Sequence, residues 1–304
     1  MHDLRGPGRV GDVMRYEEPV FRPPSEAGSL ILQLTVGCSW NRCTFCAMYR
    51  MKRFRVRPVD ELAAEIREAA RVVGPVQRVF LADGDALAAP TEVLTAVLAT
   101  IRNELPGVRR VGIYGDSRAI LGKAPAELAA LRGLGLGIVY FGVESGDPAT
   151  LQAIAKGATV GRQLEACRRV REAGMKLSVM VLLGVAGTAG SARHAAATGR
   201  FLVEAEPTYA AALTTTVVPG TPLHDAVADG RIELPDRWGV LAELATMLEA
   251  MDGYRGPFHA NHASNYLPLA LRLPRDREPA LELLQRVLST RDEALLRPEW
   301  ARGL

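Results

Sequence analysis

The sequence predicts an α/β fold made of six consecutive strand and helix units. Short runs rich in Val, Ile and Leu, typical of buried strands, recur between residues 30 and 218. Stretches with apolar residues at helical spacing lie between these runs. Strands that alternate with helices pair in parallel through right-handed crossovers, which leaves two architectures, an open doubly wound sheet and a partial barrel. In both architectures, ligands bind at the carboxyl ends of the strands.

The six units follow one another in chain order. The strands are predicted at residues 30–36, 77–82, 109–114, 137–143, 176–183 and 209–218. The helices are predicted at residues 61–73, 90–102, 124–134, 162–172 and 192–204, with Asp60 as the cap of the first.

The two ends of the chain have a different character. Residues 1–28 are polar and interrupted by four prolines, which predicts an irregular N-terminal arm. After the Pro-Gly-Thr-Pro turn at 219–222 the chain becomes mostly helical, with helices near 236–251 and 277–290. We therefore expect three segments: an arm at 1–28, a core at 29–218 and an extension at 219–304.

Composition excludes several classes of protein. With 304 residues, 48% hydrophobic and 23% charged, the chain can bury a sizeable core, which excludes a disordered chain or a collagen-like fibre. Lys and Arg number 37 against 34 Asp and Glu, so a net charge of +3 provides no general surface for nucleic acid. The apolar run at 179–185 is far below the roughly 18 residues of a membrane helix. We expect a cytoplasmic protein with no membrane partner.

Three of the four cysteines lie in one loop directly after the first strand. Cys38, Cys43 and Cys46 fall within nine residues, which is not the spacing of a disulfide framework. Three thiolates from one loop can hold three irons of a cubane cluster and leave the fourth iron open to a substrate or cofactor. A structural zinc site would need a fourth ligand close by, and no histidine lies between His2 and His194.

The fourth cysteine, Cys167, stands alone. It shares a helix face with Leu164 and Val170, which predicts a packed core thiol rather than a hydrogen-atom donor.

The cysteine loop resembles the cluster-binding loop of the radical S-adenosylmethionine (SAM) superfamily, in which an aromatic residue precedes the third cysteine as Phe45 does here. The usual spacing there is Cys-x3-Cys-x2-Cys, and this loop has one residue more between Cys38 and Cys43. The resemblance implies a partial (βα)6 TIM-type barrel at 29–218. It also implies one 4Fe-4S cluster held by the three cysteines, and SAM as the second cofactor.

Further cofactor-binding positions follow from the resemblance. Gly84 and Asp85 stand where the superfamily has a glycine-rich turn beside the amino group of SAM, although a plain turn explains them as well. Ser117 follows the third strand, where relatives touch the cofactor, although a Gly-Asp-Ser turn also accounts for it.

The end of the fourth strand resembles the corresponding stretch in oxygen-independent coproporphyrinogen oxidases and their relatives. The resemblance makes Glu144 the candidate for the ribose hydroxyls and Lys156 the candidate for the cofactor carboxylate. The structural alternatives are a helix-dipole partner for Glu144 and a solvated lysine at a helix end for Lys156.

The activity implied by the resemblance is reductive cleavage of SAM to a 5′-deoxyadenosyl radical, which abstracts hydrogen from a substrate. We expect a small-molecule substrate and an electron donor such as flavodoxin or ferredoxin. The chain has no second cysteine cluster, which disfavours an auxiliary iron–sulfur centre. Two alternatives remain, a radical SAM enzyme that modifies RNA and a non-enzymatic iron–sulfur or zinc scaffold.

Two other segments carry functional hypotheses. In the extension, His262 and Tyr266 are candidate catalytic groups, and Asn261, His262 and Asn265 are candidate substrate contacts at the barrel mouth. The alternative is that the Asn and Ser side chains satisfy local backbone groups. Residues 50–57 carry five cations, which suit RNA phosphates or a polycarboxylate, or which balance the charge of an anionic cluster.

Overall fold

A computed structural model describes residues 13–303, so residues 1–12 of the predicted arm lie outside the described part of the chain. The strands are β1 (Leu30–Gln33), β2 (Thr35–Val36), β3 (Arg55–Val56), β4 (Arg78–Ala82), β5 (Arg110–Tyr114), β6 (Leu136–Glu144), β7 (Lys176–Leu183), β8 (Tyr209–Thr214), β9 (Gly256–His259) and β10 (Ala270–Leu273). The helices are α1 (Val59–Val72), α2 (Thr91–Glu104), α3 (Ser117–Leu121), α4 (Pro125–Gly133), α5 (Pro148–Ala153), α6 (Val160–Glu172), α7 (Gly187–Ala205), α8 (Pro222–Ala228), α9 (Arg237–Glu249) and α10 (Arg277–Thr290). Short 3-10 helices lie at Pro24–Glu26, Ala86–Ala88, Glu293–Leu295 and Glu299–Ala301.

The described chain divides into two compact units. Unit 1 contains residues up to 41, 48–141 and 168–177, and unit 2 contains residues 42–47, 142–167 and the chain from 178 onward. The divisions fall inside β6, β7 and α6, so the units are not consecutive stretches of sequence.

Unit 1 is a parallel sheet covered by helices. Strands β1, β4, β5 and the first part of β6 lie side by side in that order and run parallel. The apolar runs of these strands are almost wholly buried, which explains their Val, Ile and Leu content. Helix α1 begins at Val59 after Pro58, so the predicted cap is wrong by position. Asp60 lies in the first turn instead, where an acidic side chain favours the helix dipole.

A small antiparallel pair stands apart from this sheet in unit 1. Thr35 of β2 pairs with Val56 of β3, and Val36 pairs with Arg55. The pair therefore joins the two ends of the segment 37–54, which contains the three clustered cysteines. We call residues 37–54 the cysteine segment.

Unit 2 continues the α/β pattern and then departs from it. Strands β7, β8 and β9 are parallel neighbours, and β10 pairs antiparallel with β9. Helices α9 and α10 agree with the two helices predicted in the extension, and α9 packs against α7. Strands β9 and β10 were not predicted. Each is only four residues long, and β9 contains Pro257, so neither shows the alternation that marks a strand in sequence.

The predicted α/β class is confirmed, since helices alternate with the parallel strands β1, β4, β5, β6, β7 and β8. None of the helices in the described part of the chain has both the length and the apolar character of a membrane span.

Candidate functional site

Cys38, Cys43 and Cys46 are all half-buried, and none forms a disulfide. The middle of the cysteine segment is anchored in unit 2 by two backbone hydrogen bonds. The amide of Thr44 donates to the carbonyl of Ile154 at 3.0 Å, and the amide of Leu223 donates to the carbonyl of Thr44 at 3.0 Å. Residues 42–47 are therefore held within unit 2 by backbone hydrogen bonds at Thr44.

Phe45 belongs to this anchored stretch. Its ring packs in unit 2 against a buried apolar cluster formed by Leu151, Ile154 and Val185. An aromatic ring before the third cysteine thus fixes the course of the segment by burial.

The base of the cysteine segment is tied together by one carboxylate in unit 1. Asp83 is fully buried, and its Oδ2 accepts hydrogen bonds from Gln33 Nε2 at 3.1 Å and from the amide of Gly37 at 3.1 Å. Lys52 Nζ lies 2.8 Å from the same oxygen. Gly37 precedes Cys38 and Lys52 follows Cys46, so Asp83 contacts both ends of the segment. A buried carboxylate is tolerated because a cation and two further donors face it.

The acidic turn after β4 is shaped by close packing. A Cβ on Gly84 would overlap the ring of Tyr49, so only glycine fits here. Asp85 accepts hydrogen bonds from the Ser39 hydroxyl and, at 3.1 Å, from the amide of Asp116. Burial and the nearby carboxylate of Asp116 raise the pKa of Asp85 to about 7. The turn therefore presents a carboxyl group of unusually low acidity.

Helix α3 connects to the same turn. Asp116 caps the helix by accepting the amide hydrogens of Arg118 and Ala119, and Ser117 at the first helical position is buried. The guanidinium carbon of Arg118 lies 4.0 Å from the centroid of the Trp40 ring, a cation–π contact. Ser117 is thus buried at the start of a helix that Asp116 caps, and its contact with a cofactor stays a prediction.

In unit 2 the structure brings Glu144 and Lys156 together. Their Oε1 and Nζ atoms are 3.0 Å apart, and both side chains are largely buried. A Cβ on Gly142 would overlap Glu144 Oε1, so the carboxylate lies back over that glycine. The pair offers a hydroxyl acceptor and an anion-binding cation side by side.

The candidates in the extension have mixed surroundings. Asn265 is buried, and its amide bonds to β8, donating to the Ala212 carbonyl at 2.8 Å and accepting from the Thr214 hydroxyl at 2.9 Å. Tyr266 lies under the guanidinium of Arg302, 3.7 Å from the ring centroid.

His262 is half-buried, and Asn261 is exposed. The imidazole Nδ1 of His262 accepts the amide hydrogen of Ser264 at 3.1 Å, and burial lowers its pKa. The substrate and catalytic roles of Asn261, His262, Asn265 and Tyr266 stay predictions.

Sequence reasoning missed the part played by Lys52 and Asp83. Lys52 was one of five cations in the run 50–57, and the structure pairs three of them. Lys52 pairs with Asp83, Arg55 pairs with Glu17, and Arg57 lies 2.6 Å from Glu65. The sequence of a basic run does not reveal which lysine is buried, because the carboxylate that pairs with it, here Asp83, is distant in sequence. Cys167 is fully buried, which confirms the predicted core thiol.

Among residues 13–303, no group of three or more His, Cys, Asp or Glu side chains is gathered as a metal-binding cage. The three thiols are therefore present in one segment, but they are not gathered around one point as metal ligands would be. Three thiols in one anchored segment are the donors that iron–sulfur clusters use, so the donor chemistry fits such a cluster.

The fold and the three thiols define an α/β protein with a cysteine motif of the kind that binds an iron–sulfur cluster. The chain belongs to the radical SAM superfamily, whose family model matches residues 32–188. The predicted superfamily and the cofactors typical of it, a 4Fe-4S cluster and SAM, are thereby confirmed. None of the curated proteins matches the chain.

Solved structures share the fold. The radical SAM methyltransferase TsrM from Kitasatospora setae, with cobalamin and a [4Fe-4S] cluster bound, superposes with a TM-score of 0.57 and 18% identity over 73% of this chain and 45% of its own. Elp3 from Methanocaldococcus infernus gives a TM-score of 0.51 and 14% identity over 77% of this chain and 59% of its own. The hydrogenase maturase HydG from Carboxydothermus hydrogenoformans gives a TM-score of 0.50 and 15% identity over 84% of this chain and 56% of its own. The chain thus spans about half the length of each of these three structures.

Proposed function

We propose that this chain is a radical SAM enzyme that binds one 4Fe-4S cluster through Cys38, Cys43 and Cys46. The observation that carries the proposal is the cysteine segment, which holds three thiols in a stretch fixed at its base by Asp83 and at its centre by Thr44. A reduced cluster held by these cysteines would supply the one electron that reductive cleavage of the C5′–S bond of SAM requires, a reaction that gives methionine and a 5′-deoxyadenosyl radical for hydrogen abstraction from the substrate.

The tasks of the protein are to bind and orient SAM. In unit 1, the backbone of the turn at Gly84 and Asp85 is assigned to the amino group of SAM, and the Tyr49 ring and the Ser39 hydroxyl hold that turn in place. In unit 2, the Glu144 carboxylate is assigned to the ribose hydroxyls and Lys156 to the cofactor carboxylate, since the two side chains already form a buried pair. Ser117 and Phe45 complete the proposed cofactor contacts.

We favour a small-molecule substrate over RNA. Lys52, Arg55 and Arg57 are each engaged in an ion pair within unit 1, so these cations already have carboxylate partners in place of phosphates. The proposed substrate side chains are Asn261, which is exposed, and His262, which is half-buried, since Asn265 is buried against β8 and Tyr266 lies under Arg302. An electron donor such as flavodoxin or ferredoxin is the proposed protein partner.

Anaerobic reconstitution tests this function. Purified protein should hold about four irons and four sulfides per chain and, with dithionite, form 5′-deoxyadenosine from SAM. Alanine at Cys38, Cys43 or Cys46 should abolish both properties, whereas Cys167→Ala is the matched control and should retain them. Stoichiometric zinc with no iron would favour the scaffold alternative and contradict the proposal.

A further inference from the structure

The turn after β6 in unit 2 has an unusual backbone. Glu144 adopts a φ of 66°, in the left-handed region that residues other than glycine rarely occupy. The amide of Ser145 donates to the carbonyl of Val143 at 2.8 Å and closes a three-residue turn centred on Glu144. Such a conformation persists only where surrounding contacts impose it.

Helix α7 supplies two of those contacts. The Ser145 hydroxyl lies 2.7 Å from Nδ1 of His194, and the amide of Gly146 donates to the Thr198 hydroxyl at 3.0 Å. His194 and Thr198 are one helical turn apart and both are fully buried. Two successive residues after Glu144 are therefore bonded to two successive turns of one helix.

The orientation of His194 is fixed by its other nitrogen. Nε2 lies 2.8 Å from the carbonyl oxygen of Leu182, and a carbonyl oxygen only accepts, so Nε2 carries the proton. Nδ1 then accepts the proton of the Ser145 hydroxyl. Burial lowers the pKa of His194, in keeping with a neutral ring. His194 thus links the end of β6 to the end of β7.

The chain after Glu144 has no room to relax. A Cβ on Gly146 would lie 2.6 Å from the Ala197 carbonyl oxygen and 2.6 Å from Phe201 Cβ. The turn therefore lies directly against α7, and a side chain at this position would push it away. Packing and hydrogen bonding act on the same three residues, 144–146.

The backbone of Glu144 determines where its carboxylate lies. The side chain passes over Gly142 and meets Lys156 Nζ at 3.0 Å. An extended conformation at Glu144 would turn the side chain to the other side of the strand and separate it from Lys156. The Glu144–Lys156 pair thus depends on the turn that α7 holds.

We propose that His194 and Thr198 are positioning residues for SAM, which act by holding Glu144 in the left-handed conformation. This inference rests on the proposed function, in which Glu144 binds the ribose of SAM. Neither residue is proposed to touch SAM, so their effect passes through Glu144.

A double-mutant cycle on the reconstituted protein tests this dependence. Thr198→Val keeps the shape of the side chain and removes the hydroxyl, and we expect it to weaken SAM binding about tenfold at unchanged iron content. Glu144→Ala should weaken binding by a similar factor. In the Glu144→Ala background, Thr198→Val should cost less than a further twofold, because the group it positions is gone.

Three further variants make the result decisive. His194→Gln, whose amide can donate to Leu182 and accept from Ser145, should retain SAM affinity within threefold, while His194→Phe should lose about tenfold. Thr100→Val removes a hydroxyl bonded to the Ala96 carbonyl on α2 and should leave SAM binding unchanged. If Thr198→Val does not fold, Ser145→Ala takes its place, since it removes the other hydrogen bond between this turn and α7, the one to His194.

The outcomes distinguish failure of the proposed function from failure of the positioning role. Wild-type protein that holds a cluster but does not bind SAM contradicts the proposed function. If wild-type protein binds SAM, two results overturn only the positioning role. One is that Thr198→Val does not change SAM affinity, and the other is that it weakens SAM binding by the same factor in the Glu144→Ala background.

Discussion

Lys52 and Asp83 form a buried ion pair across 31 positions of sequence, with Nζ and Oδ2 2.8 Å apart. Lys52 Nζ also donates to the carbonyl of Pro19 at 2.6 Å. The pair fixes the end of the cysteine segment, and the Gly37 amide on the same carboxylate fixes its beginning.

Breaking this pair should be costly. Lys52→Met leaves the Asp83 carboxylate buried without its cation, and we expect the free energy of unfolding to fall by about 3–5 kcal/mol. The double variant Lys52→Met/Asp83→Asn should recover part of that loss because no charge is left uncompensated. Urea denaturation measures both. Arg53→Met is the matched control from the same run, and its exposed side chain should change stability by less than about 0.5 kcal/mol.

Gly84 should not accept a side chain. Gly84→Ala places a methyl group against the Tyr49 ring, and overpacking of this kind costs about 1–3 kcal/mol. Gly161→Ala is the control, since no atom lies within 4 Å of its added methyl and it stands in helix α6. That substitution should leave stability unchanged or raise it by up to about 1 kcal/mol. Thermal unfolding of the two variants measures the difference. Equal melting temperatures would contradict the close packing of Gly84 against Tyr49.

Removing either of two proposed SAM contacts, Glu144 and Phe45, should have unequal effects. Glu144→Ala loses hydrogen bonds to a charged acceptor and should weaken SAM binding by about tenfold or more. Phe45→Ala loses only packing against Leu151, Ile154 and Val185 and should weaken it less. Calorimetric titration of the reconstituted protein with SAM measures both constants. Unchanged affinity in Glu144→Ala would assign that residue a structural role.

Glu243 on α9 should make stability depend on pH. Burial raises the pKa of Glu243 to about 7, while the Ser191 hydroxyl and the Gly184 amide at 2.7 Å oppose the shift. His194 Nε2 also faces it at 3.5 Å. Because the folded state holds this proton more tightly than the unfolded state, the stabilisation is complete below about pH 4.5 and is lost as pH rises towards 7.

The comparison with Glu243→Gln isolates that effect. The difference in unfolding free energy, wild type minus variant, should decline by up to about 1.4 kcal/mol per pH unit within this window. Urea titrations at several pH values measure it. Glu249→Gln, at an exposed position of the same helix, should run parallel to wild type. A constant difference for Glu243→Gln would show that Glu243 does not titrate there.

Asn265 should be required for stability whatever its role towards substrate. Asn265→Ala leaves the Ala212 carbonyl without its amide donor in a buried position, which should cost about 1–3 kcal/mol. Asn261→Ala, at an exposed position nearby in sequence, should change stability by less than about 0.5 kcal/mol. Chemical denaturation distinguishes the two, and a stable Asn265→Ala variant would argue against the bonds to β8.

The sequence predicts those parts of the fold that local patterns determine. The strands β4 and β5 are recognisable from their apolar residues, Val-Phe-Leu-Ala in β4 and Val and Ile in β5, because both faces of a parallel sheet are buried. The strands β9 and β10 have no such pattern, since β9 adds to the edge beside β8 through backbone bonds that a four-residue stretch with Pro257 does not reveal.

The same limit applies to the site. Cys38, Cys43 and Cys46 are visible because their spacing is local. The φ of Glu144 depends on contacts that the next two residues make with His194 and Thr198, about fifty residues later. A glutamate at this position does not by itself indicate a left-handed conformation.

The antiparallel pair of β2 and β3 has a consequence for how the cysteine spacing varies. Since Thr35 and Val36 are joined to Val56 and Arg55, the ends of the cysteine segment are fixed whatever its contour length. Lengthening a closed loop of this size by one residue costs only about 0.05 kcal/mol of closure entropy. Closure entropy therefore sets almost no limit on the number of residues between Cys38 and Cys43, and the cost of an insertion there depends on the contacts of Ser39 with Asp85 and of Trp40 with Arg118.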